Sequence, residues 1–305
     1  MSHPPQVPAG RGGDQHIGLQ AGSLAVLASV LWGGNGVAIK AGLAGLPPLA
    51  MAGLRFSLGI LVVGAAALLS RVPLRLQPGE WRGMAGLAAI FAFQIYFLNQ
   101  GTHLTTASSS TVLITLYPFF VAIFAHLFMT GDRLTPGKVA GMALSFSGVA
   151  LLFAESLALA ETAYLLGNVL VLLSALLLGL RQVVIKGLVR GLHPYKVLFW
   201  QALLTVPVFG ALSLALERGV VYRWDGSVVL GLLYQGLVTA GLCFILWAFL
   251  LRRHRASRLG VFGFVSPVVG VLLSALLLGE VLSPALLLSL VLVAAGIVVV
   301  HRGGS

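Results

Sequence analysis

Acidic side chains are scarce in this chain. Only 8 of 305 residues are Asp or Glu, and together with 19 Lys and Arg they bring the charged share to 9%, against about 25% in soluble domains. So few charges cannot solvate a globule of this length, and a mean hydropathy of +1.01 points the same way. The chain reads as a polytopic, all-α membrane protein. Cysteine is nearly absent too: Cys243 stands alone, which excludes a disulfide scaffold. The patterns G-x-x-x-x-G-K-[ST], H-E-x-x-H and G-x-S-x-G are missing, so neither an ATP-driven pump nor an intramembrane hydrolase is expected. Rings of charge and filter-like loops, the marks of an ion channel, are not visible either. No cofactor and no metal is expected.

What is present is apolar length. Ten stretches can cross the ~30 Å of bilayer hydrocarbon: roughly 18–39, 47–70, 82–102, 105–129, 136–154, 162–187, 193–216, 227–250, 256–278 and 284–301. Residues 1–17, rich in Pro, Gly and His, are expected to form a disordered cytoplasmic tail, neither signal peptide nor helix. With the N-terminus inside, 14 Lys and Arg fall in cytoplasmic stretches, and 3 (Lys40, Arg218 and Arg223) fall outside. That bias predicts both termini in the cytoplasm and an even number of spans. The net charge of +11 then belongs to a face that meets anionic lipid, and nucleic acid is not an expected partner.

The chain also repeats itself. Displaced by 146, Ala38-Ile39-Lys40 meets Val184-Ile185-Lys186, and Pro48 meets Pro194. Displaced by 149, Ala107-Ser108 meets Ala256-Ser257 and Pro118 meets Pro267. Displaced by 148, Gly131-Asp132-Arg133-Leu134-Thr135-Pro136 meets Gly279-Glu280-Val281-Leu282-Ser283-Pro284. The predicted organisation is two five-helix repeats, 18–155 and 156–305. Five is odd, so the second copy enters the membrane from the opposite side, the inverted arrangement that lets a carrier alternate between two openings. Thr135-Pro136 and Ser283-Pro284 read as helix starts, with a hydroxyl cap and proline at the first position. Pro118 and Pro267 are expected in mid-helix, as gating hinges or as static kinks.

In this ordered set the chain resembles the drug/metabolite transporter superfamily in its ten-helix EamA-like form. The residues that carry the likeness are Trp32-Gly33-Gly34-Asn35, Leu54-Arg55-Phe56, Ala107-Ser108, Tyr117-Pro118 with Ser266-Pro267, and the paired Gly-acid-x-Leu-Thr/Ser-Pro loops. By general likeness it is most similar to the YddG-type amino-acid exporters. The resemblance implies efflux across a bacterial inner membrane without ATP hydrolysis, of neutral amino acids including aromatic ones. The alternative is efflux of drugs or other small polar metabolites. A duplicated chain already contains both halves, so a monomer suffices.

Polar side chains within the spans are the candidate substrate contacts. Asn35 either binds substrate or bonds a neighbouring helix. Tyr96, Asn99 and His103 are spaced i, i+3 and i+7 and are expected to line a cavity from one helix face. Tyr117, Gln182, Trp200, Gln235 and Trp247 complete the candidate set, with interfacial anchoring as the other reading of both tryptophans. Arg55 is read as snorkelling outward, or holding a structural bond, in preference to attracting a carboxylate. The repeat pairs Asn35 with Arg181 and Arg55 with Gln201, which suggests an outer and an inner vestibule. All eight acids fall in tails, loops or helix ends. A carboxylate proton relay is therefore not expected, and transport reads as passive or weakly proton-coupled.

Overall fold

In hydrocarbon only a helix satisfies its own backbone, so apolar runs unbroken by charge must fold as helices. The computed structural model describes residues 18–128, 135–158, 162–253, 262, 263 and 265–302. The expected tail over 1–17 and residues 131–134 of the first loop motif lie outside these. The first half contributes α1 (Leu19–Gly33), α2 (Asn35–Leu43), α3 (Pro48–Leu69), α4 (Trp81–Leu104), α5 (Ala107–Ile114), α6 (Tyr117–Phe128) and α7 (Pro136–Ala158). The second contributes α8 (Thr162–Leu188), α9 (Pro194–Leu216), α10 (Gly226–Leu233), a π-helical segment (Tyr234–Cys243), α11 (Phe244–Arg253), α12 (Val265–Leu278) and α13 (Pro284–Arg302).

Among the described residues, eight rods are long and apolar enough to cross a membrane: Leu19–Leu43, Pro48–Leu69, Pro78–Leu104, Ala107–Phe128, Pro136–Glu155, Thr162–Leu188, Pro194–Leu216 and Gly226–Leu250. Val265–Leu278 and Pro284–Val299 are shorter apolar helices. Large apolar side chains also point outward, among them Leu61, Leu68, Phe93, Leu276 and Val291, a surface suited to lipid rather than water. The protein is a multi-pass membrane protein.

Three spans are discontinuous, and the break in the fourth corrects the sequence reading. The first span ends α1 at Gly33 and restarts at Asn35. The fourth breaks at Thr115-Leu116, so Pro118 is the second residue of α6 rather than a mid-helix kink. There its missing N–H removes no bond within the new helix. Pro267 likewise lies in the first turn of α12, third from its start at Val265. The eighth span carries ten residues of π-helix, a form usually confined to one turn and frequent at functional sites.

The helix starts follow local chemistry. Thr135 Oγ1 accepts from Lys138 N at 3.3 Å, and Ser283 Oγ accepts from Leu286 N at 3.0 Å, each beside a proline that opens the helix. Gly279 ends α12 at φ +64°, a left-handed turn that other residues rarely adopt. Asp225 caps α10 through Val228 N at 2.9 Å and Ser227 Oγ at 2.7 Å. The backbone N–H of Val228 and then the Ser227 hydroxyl hold this carboxyl below its ordinary 3.8. A depressed pKa stabilises the fold above the unfolded value and is lost as pH falls through the folded one. Asp225→Ala is therefore expected to melt below the wild type at pH 7, and the gap is expected to close below about pH 4. A gap of constant size on acidification would remove the cap from the account.

The halves interleave. α13 packs along α7, α8 along α4, α9 along α3 and α4, and α12 against α1 and α5, while α10 and the π segment cover α2 and α3. The core lies where those pairings converge, around Phe56, Phe91, Phe119 and Phe209.

Candidate functional site

Taking a cation out of water costs several kcal/mol unless partners replace its solvation. Two arginines are nonetheless buried, Arg55 at 2% exposure and Arg181 at 4%. Arg55 sits on the inward stripe of α3 with Met51, Ala52, Phe56 and Gly59, so its side chain does not snorkel, and of the two expected roles the structural bond is the one present. Its Nη1 donates to Gln235 Oε1 at 3.2 Å, and Gln235 Nε2 donates onward to the Ala38 carbonyl at 2.8 Å. Arg181 on α8 repeats the theme in reverse. Its Nη1 donates to Gln94 Oε1 at 2.8 Å, and Gln94 Nε2 donates to Ser174 Oγ at 3.0 Å. Each arginine thus takes its glutamine from the other half of the chain.

Aromatic rings join the two pairs. The Arg55 guanidinium lies 4.6 Å from the Phe56 centroid and that of Arg181 4.6 Å from the Phe91 centroid. Phe56 and Phe91 meet edge to face at 4.7 Å, and the Phe244 centroid lies 5.3 Å from the Arg181 guanidinium. The two guanidiniums are thus linked through one edge-to-face ring pair. Arg55 and Arg181 therefore belong to one continuous cluster at the centre of the bundle. A small cavity, with room for about one water, is lined in part by Phe56, Phe91, Leu198, Gln201, Ala240 and Phe244.

Close backbone approach sets this geometry. A Cβ on Gly236 would stand 2.6 Å from Leu58 Cβ and 3.0 Å from the Arg55 carbonyl, so the π segment lies directly on α3. The break in the first span is filled from the same segment. Tyr234 donates its phenol hydrogen to the Leu31 carbonyl at 2.6 Å, beside Gly34. Asn35 follows the break, with its Oδ1 buried and unpartnered.

The sequence-predicted residues distribute unevenly around this centre. Gln235 is fully buried in it, and Trp247 reaches it through rings, 5.1 Å from Trp32, which stands 6.4 Å from Phe244. Tyr117 at the start of α6 and Gln182 beside Arg181 are half-buried. The expected Tyr96, Asn99 and His103 face does not hold together. Asn99 is buried and donates to the Pro48 carbonyl at 3.0 Å, Tyr96 is half-buried against Phe97, and His103 is exposed. The buried face of α4 carries Phe91, Gln94 and Leu98 along with Asn99. Trp200 anchors elsewhere, its indole N–H on the Leu74 carbonyl and its ring 5.2 Å from Trp81. Gln94 was missed, and its i+3 spacing from Phe91 within an apolar stripe was the available signal.

The two ends of the bundle are tied differently. Beyond the C-terminal end of α4, Glu280 Oε1 accepts from Ala107 N at 2.7 Å, and its Oε2 accepts from Ser108 N at 3.0 Å and Ser108 Oγ at 2.6 Å. Lys40 Nζ donates there to the carbonyls of Thr102 and His103, both at 3.1 Å, and to that of Thr105. Glu217 grips the start of α3 through Leu49 N and Ala50 N at 2.7 and 3.0 Å. At the opposite end of α4, Lys196 pairs with Glu80 at 2.6 Å.

Comparison with known proteins agrees with this architecture. The EamA-like transporter family matches residues 20–154 and again 165–302. An Escherichia coli (strain K12) protein named "Probable amino-acid metabolite efflux pump" is 32% identical over 284 residues, covering 90% of this chain and 93% of that one. A Streptantibioticus cattleyicolor protein named "Probable terminal-alkyne amino-acid exporter" is 26% identical, covering 91% and 92%. One solved crystal structure, 24% identical, superposes with a TM-score of 0.70 over 92% of this chain and 96% of that one, a likeness of fold.

Proposed function

Because the chain belongs to the EamA-like transporter family, we propose that it exports neutral amino acids, aromatic ones included, across a bacterial inner membrane. In this reading ten spans form two inverted five-helix repeats with both termini in the cytoplasm, and one chain is the working unit. Substrate sits between the halves and is released by their rocking. The observation that carries the reading is the pair of Arg–Gln bonds, each crossing from one half to the other at the chamber. A site built from both halves is remade whenever they move, which is what alternating access requires. The names of the E. coli and Streptantibioticus relatives support the amino-acid class. Substrate contacts are assigned to Asn35, Gln235 and Trp247, with Tyr117 and Gln182 at the edge.

Transport is passive or weakly proton-coupled, since the acids of the sequence avoid the span interiors. Proteoliposomes loaded with unlabelled phenylalanine or leucine are expected to take up the labelled amino acid by counterflow. An imposed pH gradient is expected to change the rate by less than about twofold, well under the tenfold that 1.4 kcal/mol of coupling gives. Absence of counterflow with every neutral amino acid, together with uptake of a drug or another metabolite, overturns the substrate class. A large, reproducible acceleration by the gradient overturns the coupling.

A further inference from the structure

The chamber holds two cations with no anion to match them. Arginine stays protonated in proteins, and among the described residues no carboxylate hydrogen-bonds or ion-pairs with Arg55 or Arg181. The amide oxygens of Gln235 and Gln94 each neutralise nothing and occupy one Nη1. Ring faces contribute about 2 kcal/mol each to a desolvated guanidinium, which falls short of the desolvation of an ion. The Nε of both arginines is buried without a partner. So is Gln201 Oε1, an acceptor on a wall of the cavity. The site is therefore polarised, with spare N–H donors on two cations, and a spare carbonyl oxygen on the cavity wall that carries the Phe56, Phe91 and Phe244 rings against which the guanidiniums lie.

Resting on the exporter reading above, we infer that Arg55 and Arg181 bind the carboxylate of the substrate, with Phe56, Phe91 and Phe244 against its apolar side chain and Gln201 Oε1 accepting from its ammonium group. A planar carboxylate offers the in-plane acceptor geometry that a guanidinium edge matches, and the bond is charge-assisted on both sides. A bound carboxylate supplies the anion that the buried guanidiniums on α3 and α8 lack. The glutamines hold the guanidiniums in place while the site is empty. The cavity is too small for an amino acid in this state, so loading requires the halves to separate. The ligand is thereby selected by chemistry: a carboxylate is obligatory, a ring or branched side chain is favoured, and a ligand carrying only a cation is repelled.

The test uses the full-length protein in detergent, with quenching of its tryptophan fluorescence as the binding readout. The ligands are phenylalanine, phenylalanine amide, phenethylamine and 3-phenylpropionate. Phenylalanine is expected to bind at least about tenfold more tightly than its amide, with no binding of phenethylamine. Arg55→Gln and Arg181→Gln are each expected to abolish that preference. Should either variant fail to fold, the ligand series on the wild type decides alone, since it alters no residue. Equal binding of the acid and the amide overturns the carboxylate site and leaves the exporter reading intact. Binding of 3-phenylpropionate without any amino acid sustains the carboxylate site and overturns the amino-acid reading.

Discussion

Gly236→Val is expected to lower transport to about a tenth or less and to lower the thermal midpoint in detergent, whereas Gly210→Val is expected to change neither. The contrast is steric. At Gly236 an added Cβ falls 2.6 Å from Leu58 Cβ, 2.8 Å from Leu58 Cδ1 and 3.0 Å from the Arg55 carbonyl, while at Gly210 nothing stands within 4 Å. Leu58 Cβ and a backbone oxygen cannot rotate away, so α3 and the π segment must part. Overpacking of this kind costs about 1–3 kcal/mol. Here it also separates Arg55 from Gln235, one residue along, and leaves a cation without its partner. Valine carries the same helix penalty at both positions, so that term cancels in the comparison. Equal behaviour of the two variants would refute the packing of α3 on the eighth span.

The second large effect concerns the tie at the Lys40 end. In a Cys243→Ala background, a reporter placed by Thr111→Cys is expected to react slowly with a membrane-impermeant maleimide. Adding Glu280→Ala is expected to accelerate labelling about tenfold or more, with Glu280→Gln intermediate because its amide keeps one acceptor. Glu280 receives three hydrogen bonds from Ala107 and Ser108, and a bond to a charged group contributes about 1.5–3 kcal/mol. Losing even one shifts the ratio of open to closed states about tenfold. Thr111 is buried at 5% exposure behind this tie, beside Gly36 and Gly270, so its labelling reports the opening. Unchanged labelling in Glu280→Ala would mean that Glu280 does not hold this end shut.

Sequence made the helices legible because a membrane span needs little more than length and apolarity. Helix starts at Pro136 and Pro284 were legible because proline and its neighbouring caps act within one turn. The breaks were harder. The first span read as continuous across Gly33-Gly34, and Pro118 suggested a kink where the chain ends one helix and begins another. The π segment left no local mark: its glycines Gly236 and Gly241 serve the contact with α3, which lies far away in sequence. The site was half legible for the same reason. Gln235 stood out as an amide in an apolar run, yet Arg55 looked like a snorkelling residue because its partner lies 180 positions along the chain. His103 and Trp200 share helices with buried residues and point elsewhere, since helical spacing fixes a shared face but not what that face meets.

The cross-half pairing has a consequence in time. The Arg55–Gln235 bond spans 180 residues and the Arg181–Gln94 bond spans 87. At roughly 5–20 residues per second of synthesis, Arg55 precedes its amide by about 9–36 s. During that interval it is a lone cation in a span, a state costing about 2.5–3.5 kcal/mol on insertion scales. In the other pair the neutral glutamine comes first, and the cation enters to find its acceptor waiting. The second span is thus the vulnerable one at birth, and its insertion becomes secure only when the eighth arrives.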